Sequence, residues 1–375
     1  MTQNIRRRLA SAAAALTAAL LAVATLQTVA AAPASAQSCG GGDAIVTGSQ
    51  STGFTTTYHG QTVYQGDLYI IAIWEAIGAL DPNRTSQQKV SVMASAWIGD
   101  NAIDLPSHTA FEVCGTMDVG HAPGKGAVQA IGAVDVSIPR MNMTGNPYFG
   151  MRFADVHGLH LGDIDMNLSG GLGIRFERDL PGSTDVVMDD VYVSGAGSHA
   201  VETWNIDGFQ IGRVTARDVG ESGLLIQNST NGWVGTVDGS NVGAGTGYAT
   251  FRMANNNGQE ADGGYDTNIW VDNVISRGGG RGVFCVSQSG GVVIEHVDLA
   301  GNGNSSVLIE NCYNVSIRSG TVNGGGEVRV AARSEFPNTR DVWIFLEVNN
   351  TSVRESPCGD NVNWDITGNA AVNVC

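Results

Sequence analysis

The stretch HAVETWNIDGFQIGRVTARDVGESGLLIQNSTNGWVGTV, His199 to Val237, states one phrase twice. Setting Asp207-Gly208-Phe209-Gln210-Ile211 against Asn231-Gly232-Trp233-Val234 gives a lag of 24 residues. The residues before these anchors follow suit, since Gly223-Leu224-Leu225-Ile226 stands after Glu221-Ser222 as His199-Ala200-Val201-Glu202 stands after Gly197-Ser198. Self-similarity at a near-fixed period marks a repeat architecture, in which each unit buries its apolar face only against its neighbours.

The phrase recurs in both directions. Upstream it reads GMRFADVHGLHLGDIDM and GIRFERD with TDVVMDDVYV; downstream it reads YATFRMANNN with TNIWVDNV, RGVFCVSQSGGVVIEHV, SVLIENCYNVSIRSG, and EVRVAARSE with TRDVWIFLEV. This makes nine or so turns of roughly 22 to 33 residues, each with two or three strands of about four to six residues. Glycine, 51 of 375 residues, is about twice its usual share. It has no three-residue period and instead separates short runs rich in valine and isoleucine, which is strand punctuation rather than collagen. Little helical periodicity is visible from Val119 to Val353. Asn-Gly pairs at Asn231, Asn257, Asn302 and Asn323 suit hairpins of a sandwich, but one phrase per turn argues for stacking. The expected fold is all-β, a single-stranded right-handed parallel β-helix. Its strands lie about 4.8 Å above one another, so like residues form ladders. Asn205, Asn228, Asn255 and Asn311 fall near strand ends, where side-chain amides can bond the coil above or below.

An open stack needs caps. Asp67 to Leu80, DLYIIAIWEAIGAL, has apolar residues at helical spacing and fits a capping helix. The expected organisation is an export signal over residues 1–36, an N-terminal segment with the cap helix and first coil over 37–117, the β-helix over 118–357, and a disulfide-bearing C-terminal cap over 358–375. The signal rests on Arg6, Arg7 and Arg8, an Ala/Leu run and Ala34-Ser35-Ala36, with cleavage after Ala36 and a secreted product. No later apolar run is long enough to span a bilayer. Cleavage removes three arginines and no acids, so the net charge of −16 becomes −19 on 339 residues (375 less 36). That balance argues against nucleic acid as a partner, and an anionic polymer would need a local cationic strip or bridging metal. Six cysteines in an oxidising compartment imply three disulfides. The preferred pairing is Cys39 with Cys114, Cys285 with Cys312, about one coil apart, and Cys358 with Cys375. No CxxC pair suggests zinc.

The cap helix, the segment VSVMASAWIGDNAIDLPSHTAFEVCGTMDV and the Gly-punctuated coils together resemble pectin-lyase-like right-handed β-helix proteins, from about Asp67 to Val353. The resemblance implies a groove along one outer face, with functional residues supplied by successive coils. Asn205-Ile206-Asp207-Gly208 resembles the Asn-Thr-Asp-Gly of polygalacturonases, which makes Asp207 a candidate. One coil later Gln227-Asn228 stands where that family has Asp-Asp, and no lysine lies beyond Lys125. Asn268-Ile269-Trp270-Val271-Asp272-Asn273 resembles the Val-Trp-Ile-Asp-His of pectate lyases, with Asn273 in the place of histidine.

Arg152, Arg175, Glu202, Gln227 and Arg252 follow one another at lags of 23, 27, 25 and 25, and form an outward ladder if they share a register. Arg152, Arg175 and Arg252 then hold uronate carboxylates, with Gln227 and Trp204 as further substrate contacts. Glu202, His199, Arg252 and Asp207 are the catalytic candidates. A lyase needs a base for the proton beside the carboxylate and a cation to neutralise that carboxylate; with lysine lacking, Arg252, Arg175 or His199 is the base. A hydrolase needs two carboxyl groups, Glu202 with Asp207, Glu177 or Glu221. Calcium is a possible cofactor given Asp155, Asp179 and Glu202, although no spacing defines a site. The expected function is cleavage of an extracellular, uronate-containing polysaccharide by β-elimination, with glycoside hydrolysis on the same face as the alternative and non-catalytic glycan binding as the second. A monomer without a membrane partner is expected, since a β-helix buries its core internally.

Overall fold

Strand alternation builds the molecule one coil at a time. The computed structural model describes residues 39–375, so the expected export signal and its cleavage site lie outside the described residues. Within Leu224–Gln227, Leu224 and Ile226 enter the main core while Leu225 and Gln227 point outward. The chain then turns at Asn228, whose φ is 44°. Asn205 occupies the same turn one coil earlier at φ 57°, a left-handed conformation that asparagine tolerates far better than branched residues. The Asn228 amide donates to Asn205 Oδ1 at 2.7 Å, and the Asn205 amide donates to the Arg178 carbonyl at 2.9 Å. The expected inter-coil asparagine ladder is therefore present.

After this turn the strand Ile206–Arg217 runs through a bend. Gly212 and Arg213 both face outward, between buried Ile211 and Val214, so one continuous strand covers two faces. Each coil in the middle of the chain thus lays down three faces. Face A holds Val201–Trp204 and its equivalents, and faces B and C hold the two halves of Ile206–Arg217. Strands were expected to be four to six residues long. Gly126–Gly145 and Phe149–Leu168 instead run 20 residues each, because the ladder continues around the bend.

Pairing is parallel between equivalent strands of consecutive coils. On face A the inward column Met151, Ile174, Val201, Leu224, Phe251, Val283, Val307, Val328 and Val353 is continuous, and every member is nearly inaccessible. This is an all-β parallel β-solenoid. Its face A column has twelve outward positions: Asp104, Gln129, Arg152, Arg175, Glu202, Leu225, Arg252, Phe284, Leu308, Arg329, Arg354 and Asn373. There are more turns than the nine or so expected, because the less regular coils at both ends also stack. Coil length along the column varies from 19 residues at the C-terminal end (Arg354 to Asn373) to 32 in the middle (Arg252 to Phe284).

The N-terminal end is covered by the helix Tyr69–Gly78 and a three-stranded antiparallel meander, Ala44–Ser49, Gly53–Tyr58 and Gln61–Gly66. Asp67 does not cap this helix; Leu68 is its N-cap and makes no side-chain bond. Tyr69, Ala72, Ile73 and Ala76 are its buried side. At the other end Asp360–Thr367 and Ala371–Asn373 continue the parallel stack, so the expected cap is in fact the last coil. The three disulfides are Cys39–Cys114, Cys285–Cys312 and Cys358–Cys375, the preferred pairing. No helix of the described residues is long and apolar enough to cross a membrane.

Phe153 and Phe176 fill adjacent coils with ring centroids 5.2 Å apart and are inaccessible to solvent. Phe153→Ala should lower the unfolding free energy by about 3 to 5 kcal/mol, measured by urea denaturation followed by far-ultraviolet circular dichroism.

Candidate functional site

Face A carries the charges in a column, and their order decides what each can do. Arg152 opposes Arg175, which opposes Glu202, as expected. The next position is Leu225 rather than Gln227. Gln227 sits two residues on, opposite Trp204 and Ala254. The connection after Glu202 is shorter than the sequence alignment assumed, and a two-residue offset preserves the outward side while changing the column.

Glu202 is enclosed by donors. Its carboxylate accepts from Arg175 Nη1, from the Trp204 indole at 2.9 Å and from the Gln227 amide at 2.9 Å. Gln227 accepts in turn from the Asn255 amide at 2.6 Å. One coil up, Glu177 accepts from Arg152 Nε at 2.6 Å and lies 3.6 Å from Arg175 Nε. Arg152, Glu177, Arg175 and Glu202 therefore alternate in sign and neutralise one another, so Arg152 and Arg175 are not free to bind carboxylates, contrary to expectation. Trp204, Gln227, Glu202 and Arg175 do come together, as one hydrogen-bonded cluster.

His199 belongs to a second cluster. The Ser222 amide donates to its Nδ1 at 2.9 Å, so Nε2 carries the proton and faces Glu221 at 3.0 Å. Ser198 donates to the same carboxylate at 2.5 Å. The His199 bond, with help from the Ser198 and Tyr248 hydroxyls, outweighs burial and pulls the Glu221 carboxyl down to about 2. Tyr248 stands edge-on to His199, with ring centroids 5.3 Å apart. Burial and the Glu221 carboxylate push its phenol up, while Arg252 pulls the other way. His199 itself is only 5% exposed, and both its nitrogens are engaged, so it is not placed to meet a substrate.

The third cluster is where the charge is left unpaired. Arg252 lies 5.0 Å from the Tyr248 ring centroid and 5.1 Å from that of Phe284. Arg281 lies 4.4 Å from the Phe284 centroid and donates to the Gly247 carbonyl. The Nε of each is buried and lacks a hydrogen-bond partner. Among the described residues neither guanidinium is in an ion pair; Glu221, Glu202 and Glu310 act on them only at longer range. Burial lowers the pKa of both, and Arg252 and Arg333 oppose the charge on Arg281. Arg333 is held by Glu310 at 2.7 Å. The floor around them is apolar: Leu225, Phe284, Leu308, Ala254, Val286 and Ala331 point outward, yet are almost fully covered. An open depression beside Arg281 is lined by Gly245, Thr246, Gly247, Gly280, Gly303 and Asn304.

Asp207 lies elsewhere. It sits beyond the Asn205 corner, exposed, and accepts from Asn231 at 2.6 Å and Thr230 at 3.2 Å in the next coil. This is a turn ladder, separate from Glu202. Asp155, Asp179 and Glu202 do not assemble a metal site, being engaged by His157, Arg178 and Arg175 respectively. Among the described residues a group with metal-ligand proximity occurs at Cys39, Glu112 and Cys114, where both cysteines are spent in a disulfide. Sequence reasoning missed Arg281 as a site residue. Its signal was faint, an arginine heading the phrase RGVFC where the preceding coil has Ala249.

No family model, curated protein or solved structure matches this chain.

Glu221 supplies a pH test. Its folded carboxyl titrates well below its ordinary value of 4.5, so its contribution is present above that value and is lost as pH falls from about 4.5 toward about 2. Glu221→Gln should flatten this part of the acid limb in a plot of Tm against pH.

Proposed function

We propose that this protein is a secreted polysaccharide lyase that cleaves a uronate-containing polymer along face A; the resemblance to pectin-lyase-like proteins bears on the fold, which hosts lyases, hydrolases and non-catalytic proteins alike. The observation that carries the reading is the pair of unpaired guanidiniums, Arg252 and Arg281, gathered on Phe284 in a strongly acidic chain. Like charges brought together and partly desolvated are costly unless an anion joins them. A uronate carboxylate between them would be neutralised, and the C–H beside it would become more acidic. Tyr248, in contact with Arg252, is the proton-transfer group. As phenolate it takes that proton while the C–C bond gains double-bond character, and it returns the proton to the departing glycosidic oxygen.

The carboxylate-pair alternative has less behind it. Glu221 is held ionised by its donors, whereas a glycosidase acid must keep its proton. Glu202 is engaged by three donors.

The mature chain, residues 37–375, is incubated with de-esterified polygalacturonate, alginate, xylan and cellulose, with and without calcium. Elimination yields reducing ends together with the ultraviolet absorbance of an unsaturated product, while reducing ends alone mean hydrolysis. Neither signal on any polymer leaves glycan binding as the function. In a lyase, Arg252→Ala and Arg281→Ala should each lower kcat/KM by about 10- to 100-fold, the loss of one charge-assisted bond of about 1.5–3 kcal/mol. Tyr248→Phe should abolish turnover, and activity of the unaltered protein should rise toward alkaline pH as the raised phenol ionises. Glu202→Gln should retain elimination, and its loss of all activity would instead favour the hydrolase.

A further inference from the structure

We propose that face B carries a second glycan-binding site, a tryptophan column that takes an uncharged pyranose chain running parallel to the solenoid axis. It does not depend on any chemistry at face A. The column runs Gln210, Trp233, Trp270, Val293, Ser316 and Trp343, each residue in register with the next. Trp233 and Trp270 occupy consecutive coils and are 40% and 42% exposed, unusual for the side chain with the most apolar surface to lose.

Trp233 is held in place. Its indole nitrogen donates to Asp272 Oδ1 in the next coil at 3.2 Å. Its ring lies over Gly235, where an added Cβ would stand 3.1 Å from the ring edge. With its polar atom satisfied and its ring resting on backbone, the surface left to solvent is apolar and preorganised. Such a surface binds at low entropic cost.

The occupant follows from pitch and charge. Consecutive coils are about 4.8 Å apart, close to the length of one pyranose unit in an extended chain. Successive sugar rings can therefore meet successive tryptophans without strain. No lysine or arginine stands in this column, so it offers nothing to a uronate carboxylate. Gln210 flanks the aromatic pair on one side with an amide suited to sugar hydroxyls; on the other, buried Val293 comes next and the Ser316 hydroxyl follows one coil beyond it. A protein partner would need a broad contiguous apolar patch, whereas this strip is one residue wide and interrupted by polar side chains.

The test is retention of the purified mature chain on microcrystalline cellulose, insoluble xylan and chitin, with affinity electrophoresis in the corresponding soluble polymers. Binding to at least one of them is expected. Trp233→Ala and Trp270→Ala should each weaken it by about tenfold and the double variant should abolish it, while Trp270→Phe retains part. Thermal unfolding of each variant checks that the coils are intact, and turnover of soluble acidic polymer, if the unaltered chain shows any, should be unchanged. Failure of the unaltered chain to bind all three matrices would overturn the proposal, as would full binding by an intact double variant. A change in oligomeric state on substitution would also overturn it, by making the column a contact between copies of this chain. Because the readout is retention rather than cleavage, an inactive face A does not affect the outcome.

Discussion

The backbone ladder between coils is the constraint on which the rest of this protein depends. Each strand exhausts its hydrogen bonds on the equivalent strands above and below, so neighbouring side chains stack at the strand separation and outward residues are forced into columns. Inside, columns of valine, isoleucine and leucine need only fit one another. Outside, a column places whatever the sequence supplies in contact with its own kind, and electrostatics then decides which arrangements are tolerable.

Face A shows two answers to that problem. In its first half the charges alternate through Arg152, Glu177, Arg175 and Glu202, each guanidinium meeting a carboxylate of the same or a neighbouring coil. In its second half Arg252 and Arg281 converge on Phe284 with no such partner among the described residues. Aromatic faces attract cations, so Phe284 offsets part of the cost, but two buried Nε atoms remain without acceptors. Incomplete satisfaction of this kind is uncommon in scaffold and common at binding sites. Arg175 Nε also lacks an acceptor, so what separates the two halves is the ion pairing that Arg175 has and that Arg252 and Arg281 lack among the described residues. Face B differs again, since its column gathers exposed tryptophans and leaves charge out.

Much of this was legible from the repeated phrase alone. Gly-punctuated, Val/Ile-rich runs at a near-constant period specify stacking, and the one-coil separation of Cys285 and Cys312 made their pairing readable. The Asn205 and Asn228 corners followed from asparagine's tolerance of left-handed backbone. The capping helix was readable from its apolar spacing, although its start was not, since it begins at Tyr69 with Leu68 as N-cap rather than at Asp67. What escaped was register. Gln227 was assigned to the Glu202 column, yet Leu225 stands there, because connections between strands vary in length and lag arithmetic accumulates that variation.

By itself, then, the sequence determined a disulfide-bonded parallel β-solenoid, since its period, glycines and asparagines are local signals of a local architecture. It offered Arg175, Glu202 and Gln227 as an outward ladder only on condition of a shared register, which alternation along a strand cannot supply by itself. Only the tertiary structure decided which charges cancel. Arg152 and Arg175 are spent on Glu177 and Glu202, His199 is turned toward Glu221, and Arg281 joins Arg252 across Phe284. Each of those outcomes depends on a contact between coils, from 22 residues apart for His199 and Glu221 to 32 for Arg252 and Phe284, where a shift of two residues leaves the hydrophobic pattern intact but exchanges every partner.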